Sequence, residues 1–199
     1  MSDLDQLSLD QIRRQLNVGA DVTHDIPHLW DEHECQPAAV LIPFLRQQDE
    51  WHLLYIRRAR HDQDHHSGQV AFAGGKFEAD DRSLHYTALR EAQEEIGLQP
   101  RDVTILGQLG QHHSISRFAI TPVVGYLPWP YRLQLDRQEV ARAFTIPLNW
   151  LADPLHHRVQ QVERDGFGRF PVVYFDEYDG ELLWGATARM TLSLLAQLQ

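Results

Sequence analysis

The chain has 199 residues, 43% of them hydrophobic, which is enough for one well-buried core, so a single domain over 1–199 with terminal elaborations is expected in preference to two. A formal net charge of −10 repels phosphate-rich polymers and anionic bilayers, which argues against nucleic acid and membrane as partners and leaves an anionic small molecule to be received by metal or local arginines. The single cysteine, Cys35, excludes an intrachain disulfide, and no N-terminal run is apolar enough for a signal peptide or membrane span, so a cytoplasmic protein is expected.

In chain order, Leu7 to Leu16 predicts a short helix, followed by a polar connection with Pro and His through Glu34; residues 1–34 read as an N-terminal extension. Ala38 to Leu45 and Trp51 to Ile56 are apolar runs on either side of the polar Arg46 to Glu50, the pattern of two strands joined by a hairpin. Val70, Ala71 and Phe72 read as a strand that ends at the pair Gly74 and Gly75. Ser83 to Ile96 predicts a helix with Leu84, Ala88, Leu89, Ala92 and Ile96 on one apolar stripe, stopped by Gly97. Strands are predicted at Val103 to Leu109, at Ile120 to Leu127 before the Pro128-Trp129-Pro130 break, and near Ala143 to Ile146. A helical turn at Leu148 to Leu151, strands at Phe170 to Phe175 and Leu182 to Trp184 around an Asp179-Gly180 turn, and a helix from Gly185 to Leu198 complete the chain. Mixed strands between a central and a terminal helix make an α/β layered fold.

The helix ending at Gly97 carries the chemistry. Glu91, Glu94 and Glu95 fall in its last two turns, where the macrodipole disfavours anions, and Glu91 lies three and four residues from the other two. The crowding costs on the order of 1 kcal/mol, a sign that a bound cation would reverse. A solvated acidic helix face accounts for the same spacing, but the upstream Gly74-Gly75 pair tips the balance. It allows close backbone approach to a ligand and offers a carbonyl to an oxygen shell suited to Mg²⁺ or Mn²⁺.

These residues resemble the box of the Nudix hydrolases, here spanning residues 74–98. Arg90-Glu91-Ala92-Gln93-Glu94-Glu95-Ile96-Gly97-Leu98 match its second half at every fixed position. The first half departs from the pattern: Gly75 is followed after five residues by Asp81 instead of Glu, and eight residues in place of seven separate Asp81 from Arg90, with Glu78 the other candidate for that role. The resemblance implies an α/β/α sandwich with a mixed β-sheet. It also implies divalent ions held by Glu91, Glu94 and Glu95 with the Gly74 carbonyl, and Arg90 orienting one of the carboxylates.

A second resemblance concerns substrate. Leu53, Leu54, Arg57, Gly68, Phe72, Gly74 and Gly75 match the segment that marks the coenzyme A pyrophosphatase branch, while Tyr55, Arg58 and Ala73 depart from it. Trp184 to Leu195 resembles the closing helix of that branch. This favours hydrolysis of coenzyme A or acyl-coenzyme A to adenosine 3′,5′-bisphosphate and (acyl-)4′-phosphopantetheine. Another nucleoside diphosphate conjugate, such as ADP-ribose, NADH or a dinucleoside polyphosphate, and a non-catalytic ligand sensor are the alternatives.

Arg57, Arg58 and Arg60 are candidates for receiving substrate phosphates through bidentate hydrogen bonds, against the reading of strand arginines as surface charges. Glu139, just before an apolar segment, is a further candidate as metal ligand or general base, or else a solvated glutamate. The pairs His65-His66, His112-His113 and His156-His157 make poor chelates because adjacent side chains diverge; His112 and His113 alone are placed to border a cleft. Trp129, Trp150 and Trp184 read as core or interface aromatics, with stacking of one of them on an adenine the alternative, and the apolar C-terminal helix suits either a core position or a homodimer contact.

Overall fold

The computed structural model describes residues 3–17, 35–60, 67–164 and 168–199. A 3₁₀ turn at Leu4–Gln6 leads into α1 (Leu9–Asn17). After the next described segment begins, the order is β1 (Gln36–Gln47), β2 (Glu50–Arg58), β3 (Val70–Ala71), β4 (Gly74–Lys76), α2 (Leu84–Ile96), β5 (Thr104–Gln108), β6 (His112–His113) and β7 (Phe118–Tyr126). Then come β8 (Val140–Pro147), α3 (Leu148–Ala152), β9 (His157–Arg164), β10 (Gly168–Tyr178), β11 (Glu181–Trp184) and α4 (Gly185–Leu198).

The long strand β1 organises the larger sheet. Its C-terminal part pairs antiparallel with β2, its N-terminal part antiparallel with β4, and its other edge parallel with β7 from Gln36↔Phe118 to Phe44↔Tyr126. Strands β3 and β8 add to β2, while β5 and β6 add to β7, all antiparallel. One parallel pairing in an otherwise antiparallel array makes the sheet mixed. The β1–β2 hairpin turns at Gln48 and Asp49, both with positive φ (52° and 65°), a turn whose twist matches that of the flanking strands. Strands β9, β10 and β11 form a separate antiparallel sheet.

Strand alternation sends successive side chains to two cores. Leu41, Leu45, Leu54 and Ile56 join Ala88, Ala92 and Ile96 of α2 on one face. Ile42, Phe44, Leu53 and Tyr55 join Ile12 and Leu16 of α1, Leu148 and Leu151 of α3, Phe175 of β10, and Ala188, Leu194 and Leu198 of α4 on the other. The sheet is therefore covered by helices on both sides, an α/β/α sandwich with the smaller sheet set beside α4.

Three features differ from the sequence reading. Gly74 and Gly75 do not sit at a strand exit; they form β4, paired with Ala39 and Val40 of β1, while Phe72 lies outside β3. Strand β9 escapes a hydrophobic-pattern reading because most of His157–Arg164 is exposed and polar and shows no alternation. Residues 4–17 of the supposed extension enter the main core: Leu4, Ile12 and Leu16 are almost fully buried. A polar clip holds that segment in place. Asp5 accepts from Trp51 N and from Asn149 Nδ2 (both 2.6 Å), Asn149 Oδ1 accepts from Leu4 N (3.1 Å), and Trp51 Nε1 donates to Leu7 O (2.9 Å).

Ile12 is wholly inaccessible to solvent, so Ile12→Ala should cost about 2–4 kcal/mol of unfolding free energy in urea titrations. A loss below 0.5 kcal/mol, roughly the level of a surface substitution, would show α1 to be dispensable to the core.

Candidate active site

Helix α2 begins where Ser83 Oγ accepts from Tyr86 N (3.1 Å) and ends where Gly97, at φ 73°, donates to Gln93 O while Leu98 N donates to Ala92 O. With both ends fixed and Ala88, Ala92 and Ile96 buried, Glu91 and Glu95 are turned toward β4. The contact requires glycine. A Cβ at Gly75 would overlap the Glu91 carboxylate, and one at Gly74 would overlap the Ala39 carbonyl across the strand pairing. Gly74 N donates to Glu95 Oε2 (3.2 Å), so β4 presents an amide directly to an acidic side chain of the helix.

The three carboxylates occupy different environments. Glu95 is only 2% exposed, and burial pushes its pKa up to about 8 against the opposing pull of Arg58, with Glu91 and Glu139 adding to the rise. Glu91 is mostly buried and is also raised, chiefly by burial, despite its bond to Arg90. Glu94 is largely exposed. Arg90 Nη1 donates to Glu91 Oε1 and to Glu94 Oε2, both at 3.0 Å, so a single guanidinium offsets part of the crowding anticipated from the spacing.

Asp81 fixes Arg90 from behind. Its carboxylate accepts from Arg90 Nε (2.9 Å) and Nη2 (3.1 Å), from Thr87 Oγ1 (2.8 Å) and from Glu78 N (3.0 Å), and Arg90 holds its pKa down to about 2. Asp81, and not Glu78, is thus the acidic residue bound to Arg90; Glu78 contributes a backbone amide. Lys76 O accepts a further bond from Arg90 Nη2 (3.1 Å), which ties the guanidinium to β4 as well. Sequence reading did not single out Thr87, whose only signal is a hydroxyl one helical turn before Arg90.

The three candidate arginines do not converge. Arg58 shares the α2 side of the sheet with Leu54 and Ile56, and its Nη1 lies 4.0 Å from Glu95 Oε1. Arg57 faces the other way, where its Nη1 donates to Glu181 Oε1 (3.0 Å) of β11. Arg142, its cross-strand neighbour on β8, donates to the same oxygen (3.0 Å), and the two cations would repel without the buried Glu181 between them. Arg142 also pairs with Asp179 of the β10–β11 turn. Arg57 therefore joins the two sheets on the face opposite that of Leu54, Ile56 and Arg58. Arg60 is exposed, its side chain lying over Gly68.

Glu139 is exposed on the segment entering β8, near enough that its charge raises both Glu91 and Glu95. His112 and His113 form β6 against Ile120 and Ala119, half-buried. His156 stacks on Trp150 (centroids 4.4 Å apart) and His157 packs against Phe175, whereas His65 and His66 lie outside the described residues. Trp184 stacks on Tyr174, and Trp129 packs partly buried against the α2 core.

Among the described residues no three His, Cys, Asp or Glu side chains are gathered into a ready-made metal shell, and Arg90 engages both Glu91 and Glu94. The donor set nevertheless fits a hard divalent ion. A nearly inaccessible carboxylate at Glu95 stands beside a second at Glu91, with one backbone amide and a guanidinium 4.0 Å away as its compensation.

A NUDIX domain model matches residues 36–166. The chain is 39% identical over 160 residues to the uncharacterized Nudix hydrolase NudL of Yersinia pestis (strain Pestoides F), covering 80% of this chain and 78% of that protein. Among solved structures, a MutT/nudix family protein from Enterococcus faecalis aligns with TM-score 0.51 at 13% identity, over 95% of this chain and 68% of that one. DR0079 from Deinococcus radiodurans aligns with TM-score 0.51 at 14% identity, over 86% and 88% respectively; at such identities both likenesses concern the fold alone. With the domain model spanning most of the chain and a relative of this identity along four-fifths of it, the chain belongs to the Nudix hydrolase family.

Proposed function

We propose that this Nudix hydrolase cleaves the diphosphate linkage of coenzyme A or acyl-coenzyme A, using Mg²⁺ or Mn²⁺, to give adenosine 3′,5′-bisphosphate and (acyl-)4′-phosphopantetheine. The observation that carries the metal-dependent part is the approach of β4 to α2, which sets the buried Glu95 and the mostly buried Glu91 side by side against a strand with no side chain between. Glu91, Glu94 and Glu95, with the Gly74 carbonyl, are the groups that would hold the ions. Bound there, divalent ions supply charge to neutralise diphosphate oxygens and to acidify water. Arg90, locked by Asp81, sets the directions of Glu91 and Glu94. Glu139, whose charge reaches Glu91 and Glu95, is the base proposed for the attacking water, and Arg58, beside Glu95, is the arginine proposed to receive substrate phosphate.

The coenzyme A part rests on the segment from Leu53 to Gly75 and on the closing helix, now α4. One observation favours a second reading. Arg57, the arginine that the coenzyme A resemblance singles out, is engaged by Glu181 on the far side of the sheet, so it supplies no phosphate contact in this arrangement. Hydrolysis of another nucleoside diphosphate conjugate, such as ADP-ribose, NADH or a dinucleoside polyphosphate, is therefore the alternative substrate class. The deciding experiment incubates the purified protein with Mn²⁺ and with Mg²⁺ against coenzyme A, dephospho-coenzyme A, ADP-ribose, NADH and a diadenosine polyphosphate, with products identified by mass. Fastest release of adenosine 3′,5′-bisphosphate is the expected result; faster cleavage of another member would replace the coenzyme A reading while keeping the chemistry.

Two substitutions separate the metal site from the sheet-joining site. Glu95→Gln should leave the metal-free protein folded with undiminished thermal stability, yet abolish the rise in Tm on adding Mn²⁺; that rise corresponds to about 2.7 kcal/mol at a hundredfold excess over Kd in the wild type. An unchanged Mn²⁺-dependent shift would remove Glu95 from the ligand set. Arg57→Gln should lower stability by about 1–2 kcal/mol, since Arg142 still partners the buried Glu181, and should leave KM for the best substrate within about twofold. A KM raised tenfold or more at unchanged Tm would return Arg57 to the binding site.

A further inference from the structure

Glu139 approaches the carboxylate cluster on a segment fastened to the box helix itself. Between β7 and β8 the chain passes the C-terminal end of α2, and two of its amides donate to carbonyls there: Gln134 N to Ile96 O (3.0 Å) and Asp136 N to Glu95 O (2.9 Å). Carbonyls in the last turn of a helix lack intrahelical partners, so this segment caps the helix while running past it. Leu133 and Leu135 pack against the α2 core from the same segment.

Asp136 then reverses the chain. Its Oδ1 accepts from Gln138 N (2.8 Å), and its carbonyl accepts from Glu139 N (3.1 Å) and Val140 N (2.7 Å). On its carbonyl side, Glu139 O accepts from Ala59 N (2.7 Å), which anchors the backbone of Glu139 to the strand-end segment that follows Arg58. The backbone of Glu139 is thus held from both sides, by Asp136 and by Ala59, and Asp136 is itself bonded to the backbone of Glu95.

We propose that Asp136 is a positioning residue for the hydrolysis, setting the direction in which the Glu139 carboxylate enters the site and keying it to the position of Glu95. The inference rests on the reading given under Proposed function, in which Glu139 acts beside Glu91 and Glu95. The Asp136 side chain is exposed and its hydrogen bond is to a backbone amide, so truncating it empties no core space. What truncation removes is the side-chain bond to Gln138 N, which orients the residue before Glu139, while the two backbone bonds to the Asp136 carbonyl remain.

The test is a double-mutant cycle on the full chain, with Mn²⁺ and the best diphosphate substrate. Glu139→Gln should lower kcat by at least about a hundredfold, and Asp136→Ala by about tenfold with KM within about twofold. Asp136→Asn keeps the acceptor oxygen and should restore kcat to near the wild-type value. In the Glu139→Gln background Asp136→Ala should have no further effect, because its influence passes through Glu139. A general loosening of the fold would instead give losses that multiply and that Asn does not rescue, and this result would overturn the proposal. So would wild-type kcat in Asp136→Ala alongside an impaired Glu139→Gln. Wild-type kcat in Glu139→Gln would overturn it through Glu139 while leaving the metal site intact, and no hydrolysis of any diphosphate by the wild type would overturn the functional reading together with the inference.

Discussion

The close approach of β4 to α2 is the constraint on which the rest of the site depends. A strand can pass this near a helix carrying glutamates only where it has no side chain on that side, and Gly75 meets the Glu91 carboxylate at a distance no Cβ permits. Gly74 satisfies a different neighbour, the backbone of β1, so the two glycines serve two surfaces of one short strand. The amide of Gly74 then becomes one of the few groups that compensate Glu95, which is buried so deeply that its charged form is disfavoured at neutral pH. Sheet pairing, helix placement and carboxylate chemistry are thereby parts of one contact.

Arg90 is the internal counterweight. Its side chain reaches Asp81 on the loop before α2, Lys76 O on β4, and Glu91 and Glu94 on its own helix. Such a hub resists movement of any one partner, because shifting one bond distorts the planar fork that makes the others. Asp81 is one methylene shorter than the glutamate of the family pattern and sits one residue farther from the arginine in sequence, yet it makes a two-pronged contact with the guanidinium. The longer loop and the shorter side chain compensate for each other, and Thr87 adds a hydroxyl to hold the result.

Much of this was legible in the sequence where one physical signal dominated. The capped helix from Ser83 to Gly97, the β1–β2 hairpin and α4 follow from apolar periodicity bounded by turn or capping residues, and the large mixed sheet between helices followed from the order of these elements. Strand β9 was not legible because its side chains are mostly in water and lack alternation. The pairing of Gly74 and Gly75 with β1 is a non-local hydrogen-bonding choice with no local marker. The opposite facing of Arg57 and Arg58 could be inferred from strand alternation, but the partner that gives Arg57 its role, Glu181, lies far along the chain in a short strand and carries no local marker of the pairing. The core position of Leu4 was hidden because the 3₁₀ turn that carries it is too short to show a period.

The parallel register of β1 with β7 also bears on how the molecule is made. Every pair in it joins strands separated by the whole box helix and its flanking loops, and α1, near the start of the chain, closes against α4 at the other end, where Gln15 Nε2 donates to Leu198 O. Contacts of such long sequence separation must wait until the intervening segment has been ordered or has collapsed around them. During synthesis the acidic helix emerges before β7 and β8, whose Val123 and Val140 complete the core on its face. A chain interrupted before α4 lacks Ala188, Leu194 and Leu198 and so leaves the face of the sheet opposite α2 partly wet.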